Sequence, residues 1–112
     1  MSEVRWKIED VMAALPPQTQ SGRRYHEPFT HGTMRLGLYA PRGHDSQEPH
    51  GQDELYFVHV GTGRFICGEF SQSFAPGDAL FVPAGAVHRF EDFSDDFAAW
   101  VVFWGPHGGE SP

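Results

Sequence analysis

Imidazole and carboxylate side chains recur at short intervals in the middle of this chain, in Glu48-Pro49-His50-Gly51-Gln52-Asp53-Glu54, and His88 follows a Pro83-Ala84-Gly85 sequence further on. In an extended chain alternate side chains share a face, so Glu48, His50, Gln52 and Glu54 are expected to point the same way. Proline presets φ at the first corner of a turn and glycine accepts a positive φ later in it, so Pro83-Ala84-Gly85 reverses the chain and aims His88 in a fixed direction. Two imidazoles and a carboxylate on one side of an ion form the facial arrangement associated with non-haem iron, with positions left over for water, oxygen or a substrate. The expected ligands are therefore His50, Glu54 and His88, with Glu48 as a candidate fourth. That set suits Fe, Mn, Ni or Zn, and the second charge of Glu48 would shift the preference toward Fe or Mn.

The elements that must position these residues are short. Ala79 to Val82 reads as a strand, the proline-glycine turn follows, and a second strand opens at His88. Leu55 to Val60 is a strand joined through Gly61-Thr62-Gly63 to a return strand over Arg64 to Phe70. Tyr25 to Ala40 is strand-like, most clearly where Met34, Leu36 and Leu38 alternate with Thr33, Arg35 and Gly37. Ala98 to Trp104 is a strongly apolar strand after a turn at residues 93–97. Pro41 to Pro49 and Ser71 to Gly77 read as connections. Val4, Ile8, Val11, Met12 and Leu15 form an apolar stripe at helical spacing, which predicts a short N-terminal helix stopped by Pro16-Pro17. The expected organisation is residues 1–24 as helix and connection packed on a barrel, 25–105 as the barrel, and 106–112 as a flexible tail.

Many short strands punctuated by turns suggest an all-β sandwich or barrel. The two candidate ligand stretches also resemble the cupin family, whose motifs are written G(X)5HXH(X)3-4E(X)6G and G(X)5PXG(X)2H(X)3N. His50, Glu54 and Gly61 match the first motif, and Gly77, Pro83, Gly85 and His88 match the second. Glu48 stands where the first histidine belongs, Gly43 is one residue late for the leading glycine, and Asp92 replaces the final asparagine. The resemblance implies a double-stranded β-helix, the jelly-roll barrel, and a homodimer paired through its sheets, with Leu55 and Phe57 as candidate outward residues. It also implies a bound metal, although some members have lost theirs. Dioxygenases, isomerases and decarboxylases all occur in the family, so the fold selects no reaction.

Around the ion, Gln52, Tyr56, Val58 and Phe90 are expected to line a pocket for a small-molecule ligand, with Gln52 hydrogen-bonding to it or to a metal ligand. Tyr56 and Glu48 are the candidate acid-base groups, and Asp92 is a further one. His26, His31, His44, His59 and His107 read as surface residues. The chain carries 15 acidic against 8 basic residues and a formal charge of −7, with no basic run, which argues against nucleic acid as a partner. Its single cysteine, Cys67, excludes an internal disulfide and reads as a small strand residue. No stretch has the length of a membrane span or the pattern of a signal peptide, so a cytoplasmic location is expected. Two functional readings follow: a metal-dependent enzyme acting on a small organic molecule, dioxygenase-like or an isomerase, and a binding or sensing module without turnover.

Overall fold

The computed structural model describes residues 3–17, 23–45 and 47–112. Strands form in the order β1 (Tyr25–His31), β2 (Met34–Tyr39), β3 (Asp53–Val60), β4 (Gly63–Cys67), β5 (Phe70–Phe74), β6 (Ala79–Val82), β7 (His88–Glu91) and β8 (Ala98–Trp104), after one short helix, α1 (Ile8–Ala13). They make two antiparallel sheets, a five-stranded one in the order β1-β2-β8-β3-β6 and a three-stranded one in the order β5-β4-β7. Strands distant in sequence lie side by side in both layers, which is the expected jelly roll.

Side-chain alternation sorts the residues of the large sheet. Along β3, Glu54, Tyr56 and Val58 are buried while Phe57 and His59 are exposed. Along β8, Ala99, Val101 and Phe103 are buried between the sheets, and Trp100, Val102 and Trp104 are only half-buried on the outer face. From the small sheet, Phe65 pairs with Phe90 and Cys67 with His88. The closed end of the barrel is filled by aromatic rings: Phe90 lies 4.7 Å from Phe97, 5.0 Å from Tyr56 and 5.2 Å from Phe65, measured between centroids. Each such ring buries roughly 150–250 Å². Their packing fixes the distance between the two sheets.

Several elements differ from the sequence reading. The 25–40 stretch is a hairpin, β1 and β2, turning at Gly32, where φ is +57°. Ser71 to Phe74, read as a connection, belongs to β5, an edge strand whose polar Ser-Gln-Ser run is exposed throughout. The helix covers only residues 8–13, and Trp6, ahead of it and outside the apolar stripe, packs its ring on Phe29 at 4.4 Å. So short a helix draws its stability from contacts such as buried Val11. Part of the 16–24 connection lies outside the described residues. The tail is hydrogen-bonded to the start of β3 and the bend before it: Gly108 N–H donates to the Gly51 carbonyl at 2.7 Å and Glu110 N–H to the Asp53 carboxylate at 2.9 Å.

Candidate metal centre

β3, the loop before it and β7 bring His50, Glu54 and His88 together, with one donor atom of each within 4.8 Å of the others. Glu54 Oε1 lies 3.0 Å from His88 Nε2 and 3.8 Å from His50 Nε2. The Pro83-Ala84-Gly85 turn joins the two stretches directly, since Gly85 N–H donates to the His50 carbonyl at 2.8 Å. Gly85 has φ +81°, as the turn requires. Glu54 is fully buried on β3, and neither carboxylate oxygen has a hydrogen-bond partner among the described residues.

The imidazole tautomer of His88 follows from its surroundings. Its Nδ1 lies 3.0 Å from the Ala86 carbonyl, which can only accept, so Nδ1 carries the proton. In the neutral ring Nε2 therefore turns a lone pair toward Glu54. That is the state of a metal-ligating histidine with its second nitrogen held by a carbonyl.

A residue not singled out in the sequence adjoins the group. Gln47 Oε1 lies 3.2 Å from His50 Nε2 and accepts from the Tyr56 hydroxyl at 2.9 Å. Its amide cannot be turned over, because Gln47 Nε2 donates to the Asp45 carboxylate at 3.0 Å and a carboxylate accepts only. Asp45 also accepts from the Gln47 and Phe90 backbone N–H groups and from the Tyr39 hydroxyl. Donors bound cis to one first-row ion at about 2.1 Å are separated by about 3.0–3.4 Å, so the His88–Glu54 spacing of 3.0 Å fits a shared ion and His50 Nε2, 3.8 Å from Glu54, lies a few tenths of an ångström outside it. The residues present fit a divalent cation.

The electrostatics agree with the geometry. Burial lowers the pKa of His50, and neighbouring His88, Arg23 and Arg35 add to that effect against the pull of Glu54. Burial pushes His88 in the same direction, yet Glu54, the Ala86 carbonyl and Asp45 together outweigh it and leave its pKa raised. Tyr56 is pushed well above its ordinary value, chiefly by burial and then by Glu54, so its hydroxyl keeps its proton. Burial and Glu54 also raise the Cys67 thiol, in line with an inert strand residue.

Other expected site residues fall elsewhere. Glu48 is exposed and outside the cluster, and the Gln52 amide is engaged elsewhere: it donates to the Thr33 and Gly105 carbonyls at 2.9 and 3.0 Å, pinning two loops. The cause is common to both. β3 begins at Asp53, and Gly51 and Gln52 form a bend before it, so the alternation assumed from Glu48 to Glu54 does not hold. Tyr56 reaches the cluster, its hydroxyl 3.4 Å from His88 Nε2. Val58 and Phe90 point inward but are packed into the core. Asp92 is exposed in the turn after β7 with φ +51°.

Residues 35–104 match the family model described as Cupin domain. The uncharacterised protein SCO3923 of Streptomyces coelicolor is 43% identical over 75 residues, 65% of this chain and 71% of that protein. Among solved structures, a Cupin 2 conserved barrel domain protein from Salinispora arenicola CNS-205 aligns with a TM-score of 0.67 at 19% identity, over 94% of this chain and 90% of its own. The DMSP lyase DddQ from Ruegeria pomeroyi DSS-3 aligns with a TM-score of 0.66 at 23% identity, over 83% of this chain, which spans 57% of that enzyme. At these identities the structural likeness is one of fold.

Proposed function

The chain belongs to the cupin family, and from that premise we propose that it is a small metal-dependent cupin that binds a small organic molecule at a divalent ion and activates it there. One observation carries the reading: Glu54 is buried between two imidazole nitrogens with neither oxygen hydrogen-bonded among the described residues. A buried carboxylate faced only by imidazole nitrogens loses on the order of several kcal/mol of hydration, and a divalent cation offsets that cost. His50 Nε2, Glu54, His88 Nε2 and the amide oxygen of Gln47 would hold the ion, one of Fe, Mn, Ni or Zn. When bound, it supplies Lewis acidity to an oxygen donor of the ligand. Asp45 fixes Gln47, and Tyr56 keeps a proton beside the cluster that it can donate to a developing oxyanion. The reaction classes this machinery serves are oxygenation and isomerisation, and the working unit is a homodimer.

The test is metal content measured by mass spectrometry of the ions after growth with each metal supplied. One divalent ion per chain is expected for the wild type and almost none for the His50→Ala, His88→Ala double variant. Equal metal in the two would end the reading. With metal retained, oxygen uptake and product analysis on a panel of small hydroxy and keto compounds then distinguish oxygenation from isomerisation.

A further inference from the structure

Arg35 is an inward-facing cation that the metal cluster does not use. It stands on β2 in the same cross-strand row as Glu54, since Arg35 pairs with Phe103 and Phe103 with Glu54. Two strand spacings separate their Cα atoms by about 10 Å. The guanidinium carbon sits 4.3 Å from the centroid of the Phe103 ring, and the His50 ring packs edge-on to that same ring at 5.1 Å. One aromatic side chain therefore links the cation to a candidate ligand of the ion.

The arginine is incompletely used by the protein. Its Nε is buried without a hydrogen-bond partner among the described residues. Its counter-ion, Glu27, lies 3.7 Å away, beyond hydrogen-bonding distance, and the same Glu27 oxygen accepts from the Tyr25 hydroxyl at 2.7 Å. A guanidinium whose only role was to neutralise Glu27 would close to a forked pair. The Arg35 side chain as a whole is 40% exposed. Within the cluster, Glu54 and His88 side chains are wholly covered while His50 is 16% exposed, so the open side of the cluster is the His50 side. The ring on which Arg35 rests packs against His50 and so borders that open side.

In a chain of net charge −7, an arginine turned toward the interior beside the approach to a metal cluster selects for anions. The geometry points to a small organic carboxylate as the ligand of this site, its carboxylate paired with Arg35 and a second oxygen donor directed at the ion. The planar fork of arginine matches a carboxylate, whereas a lysine at this place would offer a point charge. This inference rests on the metal reading above for its second anchor and on Arg35 alone for its first.

The experiment uses the full chain, first assayed for metal, then titrated by calorimetry with malonate, succinate and glutarate and with the uncharged malonamide and succinamide. The wild type is expected to bind at least one dicarboxylate and to ignore the diamides. Arg35→Ala should weaken that binding by about 10- to 100-fold with metal content unchanged, and Arg35→Lys should fall between the two. If Arg35→Ala leaves Glu27 uncompensated and does not fold, the paired variant Arg35→Gln, Glu27→Gln removes both charges and takes its place. Metal-bound wild type that binds diamides as well as dicarboxylates, or an Arg35 variant with unaltered affinity, overturns the proposal and leaves the metal reading standing. Wild type without metal ends the metal reading, and the same comparison of wild type with Arg35→Ala in that protein still decides whether Arg35 is the anion anchor.

Discussion

His50 and His88 sit against the same carboxylate, yet their pKa values are displaced in opposite directions, down from 6.5 for His50 and up from 6.5 for His88. Above the ordinary histidine pKa, His50 is therefore already neutral and only His88 titrates. In metal-free protein the protonated His88 stabilises the fold by pairing with Glu54. That contribution is complete below pH 6.5 and is lost as pH rises through the raised value, where a lone pair replaces the N–H facing Glu54. A metal ion competes with the same proton, so its affinity changes in the opposite sense. Apparent affinity is expected to be constant at alkaline pH and to fall by about tenfold per pH unit below the His88 pKa. Chelator competition from pH 8.5 to 6.5 measures this, and melting curves should show the gap between loaded and metal-free protein widening as pH rises. A flat affinity profile over that range would remove His88 from the ligand set. His50, Glu54 and His88 were legible in the sequence because residue type, spacing and the proline-glycine turn all point to them. Gln47 was not legible, because its position depends on an Asp45 clamp in a loop without periodicity, and the same loop carries Glu48 outward.

At the scale of elements, the site depends on how sharply the chain turns between strands. Gly85 and Gly61 both adopt positive φ, +81° and +97°, but their surroundings differ. A Cβ on Gly85 would meet nothing within 4 Å, whereas on Gly61 it would stand 2.5 Å from the Phe97 Cα and 2.8 Å from Ser94 Oγ. Gly85→Ala therefore costs only the left-handed backbone penalty, about 1–2 kcal/mol. Gly61→Ala adds a collision with backbone and should cost more than about 3 kcal/mol, since the β8 approach must move as well. Urea denaturation of both variants checks the order, and equal losses would show that the 61–63 hairpin yields more easily than its packing against Phe97 indicates. Both glycines were marked by the sequence as turn positions, but only the fold reveals which one is crowded. β5 illustrates the opposite limit: its Ser71-Gln72-Ser73 run carries no buried side chain, and its strand character comes from pairing with β4. Hydrophobic periodicity is silent about a strand held by backbone hydrogen bonds alone.

Over the whole molecule, the inner faces of the sheets serve the site and the outer face of the large sheet is left with apolar side chains. Trp6 borders part of it, around Leu36, Trp100 and Val102, with a shallow cavity beside Phe57. Beyond that cover, Phe57 is 44% and Phe81 53% exposed, with the Trp104 ring tilted against that of Phe81 at 6.3 Å. Leu55 and Phe81 pair across β3 and β6, so the patch is continuous from strand to strand. A two-fold dimer formed through this face would use every contact twice, once from each copy. Burying one phenylalanine is worth about 1.5–3 kcal/mol, so Phe57→Glu should remove at least about 3 kcal/mol from the dimer and raise its dissociation constant about 100-fold or more. Sedimentation over a concentration series should find the wild type dimeric and Phe57→Glu dissociating. Because Phe57 points away from Glu54 and Tyr56, the variant should keep its metal, which separates lost association from lost folding. A wild type that stays monomeric throughout, or a Phe57→Glu variant that dimerises undiminished, would assign the apolar face to another role and leave the interior site as the functional half of the barrel.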